Sequence, residues 1–202
     1  MIPEILISNL RVLFVAPAVA EISDDLGFAY LTTKNRFWQM LEYAGILPSV
    51  LISASDRKIL DNAKRDGVLT DVYKKFFFEK REDLLLKHRI GLTDLNRRRT
   101  YASEDDPDGE PTADDVQKFV KKVERFHPKT VAFMTKPEVF ERLWKPLSPS
   151  VRQDRGKQDF QIGSSEIWLM GSASGRLKDD DALEEVFEAL ATRLAELETA
   201  GH

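Results

Sequence analysis

Glu166 to Arg176 reads EIWLMGSASGR, and the fold is predicted from this stretch outward. Its first part, Ile167 to Met170, is a continuous apolar run of the kind found in strands buried on both faces of a sheet. The run ends at Gly171, and only small residues follow until Arg176. Open α/β sheets bind ligands at the carboxyl ends of their strands. The stretch therefore predicts a buried strand followed by either a ligand-binding loop or a plain connection to a helix.

Three further apolar runs predict the other strands of the sheet. These runs are LRVLFV (10–15), IGLTDL (90–95) and TVAFM (130–134). Segments with helical periodicity lie between the runs and after the last one, and this alternation is typical of a parallel sheet with helices on both faces. We therefore predict one α/β domain over residues 1–202, with three layers (α/β/α) around a mainly parallel four-stranded sheet. Residues 46–89 contain two helical patterns and are interpreted as an extended helical insertion.

Two loops are predicted at the carboxyl ends of the first two strands. After Val15 the sequence changes to the small residues of APAVAE (16–21), and after Leu95 it changes to a run of three arginines (97–99). Scattered basic residues usually form only a solvated surface, and the formal net charge of −4 does not indicate a nucleic-acid-binding protein. The arginines would form a binding surface if the fold gathered them on one face.

The composition excludes several kinds of site. The chain has no cysteine, which excludes disulfides, thiol nucleophiles and cysteine-ligated metals. Its histidines, His88, His127 and His202, are far apart in sequence and do not indicate a metal site or a Ser-His-Asp triad. No apolar run is long enough to span a bilayer, and the first residues lack a signal-peptide pattern. We therefore expect a cytoplasmic protein without a metal or a membrane partner.

The order of these segments resembles the uracil-DNA glycosylase superfamily over nearly the whole chain except 46–89. The most specific matches are NRFW (Asn35–Trp38) and the block that runs from Gly163 through IW (167–168) to Ser174-Gly175. The similarity is greatest to the mismatch-specific (G:U and G:T) uracil/thymine-DNA glycosylases. It implies base excision repair in which a nucleotide is flipped out of the duplex and its glycosidic bond is hydrolysed without a cofactor. The implied partner of this monomer is double-stranded DNA that contains uracil or an abasic site.

The resemblance also implies roles for individual residues. Tyr30 takes the position of an aromatic ring that stacks on the flipped base, although it also fits a core position beside Phe28 and Phe37. Pro17, Asn35 and Ser172 would line the base pocket. The positions implied to contact DNA are Arg98, Arg99, Ser174, Gly175, Arg176, Leu177 and Lys178.

Two motif asparagines of the family are replaced in this chain. The one that positions or activates the attacking water falls on Ala18, and the second falls on Ser172. A methyl group can neither orient a water nor stabilise an oxocarbenium-like transition state. The residues that could supply the missing chemistry are Ser172, through its hydroxyl, and the carboxylates of Glu21, Asp24 and Asp25.

Three functions are consistent with these residues. The first is a monofunctional DNA glycosylase that acts on uracil or a related deaminated base. The second is a protein that binds damaged or abasic DNA and has lost catalysis together with the asparagine at position 18. The third is a nucleotide-binding regulator that uses the same edge of the sheet.

Overall fold

The computed structural model describes residues 2–31, 35–47, 79, 81–101, 109–173 and 180–200. Within them one sheet contains the strands β1 (Val12–Ala20), β2 (Ile90–Tyr101), β3 (Thr130–Phe133), β4 (Gly156–Ile162) and β5 (Ser165–Leu169). The spatial order is β2-β1-β3-β5-β4. All neighbouring pairs are parallel except β4 and β5, which are antiparallel. The predicted α/β fold with a mainly parallel sheet is confirmed, with a fifth strand at one edge.

The helices cover both faces of this sheet. Their bounds are α1 (Glu21–Leu26), α2 (Phe37–Tyr43), α3 (81–87), α4 (Ala113–Phe126), α5 (Pro137–Trp144) and α6 (Asp180–Thr199). Successive side chains of a strand point to opposite faces, and β1 is buried on both. Phe14 packs in a core with α2, α3 and α6. Leu13 and Val15 pack in a second core with α4 and α5.

The prediction of a loop after Val15 is wrong. β1 continues to Ala20, and α1 begins at the next residue. The added length is paired with β2, since Ala16 lies opposite Asp94 and Ala18 opposite Asn96, before a bulge between Ala18 and Val19. The predicted arginine loop is wrong for the same reason, because residues 97–99 lie within β2.

The N-terminal segment (residues 2–5) covers the outer edge of β2. Ile5 forms an antiparallel bridge with Leu92, in which each backbone N–H donates to the other residue's carbonyl, at 3.0 and 2.9 Å. The Arg97 guanidinium donates to the Ile2 carbonyl at 2.8 Å. An edge strand that is paired in this way presents fewer open hydrogen-bonding groups to other chains.

Most of the helical insertion predicted within 46–89 lies outside the described residues, so the insertion and the single-domain organisation stay predictions. The described part of this interval includes α3. Among the described helices, none combines the length and apolarity that crossing a bilayer requires.

Candidate functional site

The carboxyl ends of β1 and β2 form the candidate site. Ala16 and Ala18 follow Phe14 at a spacing of two residues, so they point to the same face of the sheet as that ring. On β2, Asp94 and Asn96 occupy the same face, because they continue the alternation of Leu92. Both polar side chains are buried, with 7% and 2% of their surface exposed. The β1 side chains beside them, those of Ala16 and Ala18, are only methyl groups. On these two strands the polar side chains of the site therefore belong to β2.

Tyr30 lies at the same face, after α1. Its ring stacks on Phe37 at 4.0 Å between centroids and 25° between planes. Phe37 in turn packs edge-on against Phe14 at 5.1 Å. Tyr30 is half-buried and has a backbone φ of +59°, which is uncommon for a residue with a side chain. Such conformations concentrate at ligand sites and persist only where the surroundings impose them.

A cleft joins Tyr30 to Asp94. Its other walls come from the N-terminal segment, the residues that follow α1, and β2, and they include Ile2, Phe28, Leu92 and Thr93. The walls are therefore mainly apolar and aromatic, with one buried carboxyl group among them. The volume of the cleft is about 10 Å³, which is close to the space that one water molecule needs.

A charged cluster surrounds Asp94. Arg97 Nη1 lies 3.6 Å from Asp94 Oδ2 and 3.9 Å from Glu4 Oε1. Glu4 accepts hydrogen bonds from Lys122 on α4 and from Thr93. Burial would raise the pKa of Glu4, but these two bonds and the nearby cations outweigh it, so this pKa is lowered and the group is ionised near neutral pH.

The cluster leaves Asp94 with an unusual pKa. Burial raises the pKa of Asp94 to about 7, and the charge of Glu4 adds to this effect. Arg97 and Lys122 favour the ionised form but do not compensate for the lost hydration. Both forms of the carboxyl group are therefore populated near neutral pH, which suits a group that exchanges a proton during a reaction.

The structure brings Ser172 and the NRFW segment together at the end of β5. Ser172 is buried, and the next residue, Ala173, accepts a hydrogen bond from the Arg36 backbone N–H at 3.0 Å. Asn35 Oδ1 accepts from the Phe37 N–H at 2.9 Å, so this side chain stabilises the start of α2. The two segments that carry the resemblance are thus in direct contact.

The three candidate carboxylates lie on α1 rather than on a loop. Glu21 and Asp25 are exposed, and Asp24 is half-buried. Ala18, with 2% of its surface exposed, and the half-buried Pro17 lie within β1. The helix begins where β1 ends, so all five residues lie near the carboxyl end of the sheet.

Arg98 connects β2 to α4. Its guanidinium donates to Asp115 Oδ2 at 2.7 Å, and Asp115 also accepts from Thr112 in a capping box at the start of α4. Burial would raise the pKa of Asp115, but the hydrogen bonds from Thr112 and Arg98 outweigh it and lower this pKa. The Arg98 side chain remains 57% exposed.

The candidate DNA contacts Ser174, Gly175, Arg176, Leu177 and Lys178, and the side chain of Arg99, lie outside the described residues.

Three residues of this region were not found from the sequence. Asp94 and Asn96 belong to a strand pattern, which does not reveal that they line a ligand cleft. Arg155 packs against Gly171, whose φ is +89° and where an added Cβ would lie 2.7 Å from Arg155 Nε. The signal for this contact is a glycine that follows a buried strand and needs the left-handed region.

The described residues contain no group of three or more histidine, aspartate or glutamate side chains arranged to bind a metal.

The comparisons with known proteins concern the fold. No protein-family model matches the chain. The fold is similar to the solution NMR structure of a candidate uracil DNA glycosylase from Methanosarcina acetivorans, with a TM-score of 0.54 and 18% sequence identity. The similarity covers 94% of this chain and 96% of that one. The chain therefore shares the α/β fold of that protein over nearly its whole length.

Proposed function

We propose that the protein is a DNA glycosylase that hydrolyses the N-glycosidic bond of uracil in DNA. The observation that carries this proposal is the cleft between Tyr30 and Asp94, at the carboxyl end of a sheet whose fold is similar to that of a candidate uracil DNA glycosylase. A nucleotide inside a duplex cannot expose its glycosidic bond, so the base must leave the stack and enter a pocket. An aromatic wall and a few buried polar groups are the features that such a pocket requires.

Base capture is assigned to Tyr30, Asn96 and Ser172. Stacking of a base on an aromatic side chain stabilises binding by about 1–3 kcal/mol. The Asn96 carboxamide is oriented by the bond from the Arg98 N–H to its Oδ1, at 3.0 Å. Amide and hydroxyl groups can exchange hydrogen bonds with the carbonyl and N–H groups of uracil. The family resemblance adds Pro17 and Asn35 to the residues expected around the base.

Contact with the duplex is assigned to basic and small residues around this edge. Arg98 offers an exposed cation at the end of β2. Arg99 and the segment 174–178 would complete the surface, and Arg176 and Leu177 would fill the space left by the flipped base. We expect the protein to act as a monomer in the cytoplasm, in the manner of the mismatch-specific enzymes that its sequence resembles.

A non-catalytic protein that binds damaged or abasic DNA is the second candidate function. The observation in its favour is Ala18, a buried methyl group at the position where the family resemblance implies an asparagine. If no other residue activates water, the same cleft would hold a flipped base or an abasic sugar without reaction.

One assay separates these functions. The protein is incubated with a duplex that carries one uracil, and alkali then cleaves any abasic site. Strand cleavage that requires both the protein and the alkali is expected, and a duplex with cytosine in place of uracil is the control. Tight binding of the uracil or abasic duplex without cleavage would establish the second function. Neither cleavage nor binding would refute both.

A further inference from the structure

We propose that Asp94 is the catalytic base that activates the attacking water, in place of any residue on β1. This inference rests on the proposed glycosylase function and assigns its central step to a residue of β2. The sequence resemblance points instead to position 18, and the carboxylates of α1 were the alternatives.

Geometry favours Asp94 over Ala18, Glu21 and Asp25. It lies in the same cleft as Tyr30, and its register partner on β1 is Ala16, which has no polar side-chain atom. Ala18 has no polar atom to offer. Glu21 and Asp25 are exposed on α1, where their carboxylates are hydrated by bulk solvent.

The charges around Asp94 come from three elements. Arg97 lies on β2 itself, Glu4 belongs to the N-terminal segment, and Lys122 belongs to α4. Arg97 and Lys122 favour the carboxylate, whereas Glu4 and burial favour the neutral acid. Because burial dominates, Asp94 becomes a carboxylate only as the pH approaches neutrality, and it is then more basic than an exposed aspartate.

The proposed step balances as follows. The Asp94 carboxylate removes a proton from water while the water oxygen forms a bond to C1′ of the deoxyribose. The bond between C1′ and N1 of uracil breaks, and its electron pair leaves with the base as an anion. The proton on Asp94 then passes to the departing base or to solvent, which restores the carboxylate. The products are uracil and an abasic site that carries a hydroxyl group at C1′.

The test is single-turnover uracil release by the wild-type protein and Asp94→Asn between pH 5 and 9. The wild-type rate is expected to rise about tenfold per pH unit below neutrality and to level off above pH 7. The amide cannot accept the proton, so Asp94→Asn should be slower by about 10²–10⁴ and should lose this pH dependence. Glu166→Gln is the control, because it neutralises another buried carboxylate, at the opposite end of the sheet.

Each outcome decides a different point. Uracil release by the wild type, with unchanged rate and pH dependence in Asp94→Asn, would overturn this inference and leave the proposed function standing. No release by the wild type at any pH would overturn both. Thermal unfolding of Asp94→Asn at pH 8 checks its fold, and a variant that is folded, binds uracil duplex and does not release uracil supports the inference. Loss of the pH dependence in Glu166→Gln as well would refute it.

Discussion

Replacing Asp94 by asparagine should stabilise the folded protein at neutral pH while abolishing its proposed chemistry. Burial raises the pKa of this carboxyl group to about 7, whereas its ordinary value is 3.8. The folded chain therefore binds a proton more tightly than the unfolded chain between these two values. Stability falls as the pH rises through this window, because the unfolded form ionises first. Asparagine does not ionise and removes this contribution.

The expected size follows from the same two values. A difference of one pKa unit corresponds to about 1.4 kcal/mol, so the wild type should lose up to roughly 4 kcal/mol across the full window. Roughly 3 kcal/mol of this falls between pH 5 and pH 8, where most proteins remain folded. The isosteric amide keeps the packing, so titrating groups that do not interact with Asp94 contribute equally to both proteins and cancel in the difference.

Urea unfolding of both proteins at pH 5, 6, 7 and 8 measures this difference. The free energy of unfolding of Asp94→Asn, minus that of the wild type, should increase with pH by roughly 3 kcal/mol and level off near pH 8. If the difference in free energy of unfolding stayed constant over this pH range, the pKa of Asp94 would be close to its ordinary value. That result would refute the interpretation of the cleft as a desolvated carboxyl site, whatever the catalytic assay shows.

Three other substitutions test the remaining structure. Tyr30→Ala should reduce binding and excision of uracil duplex by about 5- to 150-fold, because a stacking surface is lost, whereas Tyr43→Ala, at an exposed tyrosine of α2, should leave both unchanged. Glu166→Gln should destabilise the protein by about 2 kcal/mol in urea unfolding at pH 7, because its hydrogen bonds with two cations, chiefly that from Arg193, lower the pKa of this carboxyl group to about 2. The wild-type contribution is present above pH 4.5 and should disappear as the pH falls towards 2, so the two proteins should converge in acid. Gly171→Ala should lower the melting temperature by several degrees, since its φ of +89° and the nearby Arg155 both oppose a Cβ.

The sequence predicts the sheet well where the apolar runs are continuous. LRVLFV, TVAFM and the IWLM run each overlap a strand, because a strand buried on both faces needs apolar residues at nearly every position. β4 was missed because it pairs only with β5 at the edge and alternates polar with apolar residues, as in Gln161 and Ile162. Its only local signal was the short apolar group around Phe160.

The candidate site was predicted less completely, for a physical reason. Alanine is depleted in strands, but here pairing with β2 holds Ala16 and Ala18 in one. This pairing joins residues almost eighty positions apart, and no local pattern reports it. The family resemblance assigns Tyr30 to the base pocket, and this role stays a prediction. The role proposed for Asp94 required the structure, since its burial depends on three separate elements.

The N-terminal segment has a practical consequence for anyone who prepares this protein. Ile5 occupies the hydrogen-bonding groups of Leu92, and Glu4 neutralises the cations beside Asp94. Proteolytic trimming of residues 2–5 would therefore do two things at once. It would expose the unpaired edge of β2, through which molecules could pair into dimers or larger aggregates. It would also remove a negative neighbour of Asp94 and so make this carboxyl group more acidic. A preparation in which some molecules have lost these residues would then vary in oligomeric state and in the pKa of Asp94. Intact-mass analysis should therefore precede any kinetic comparison.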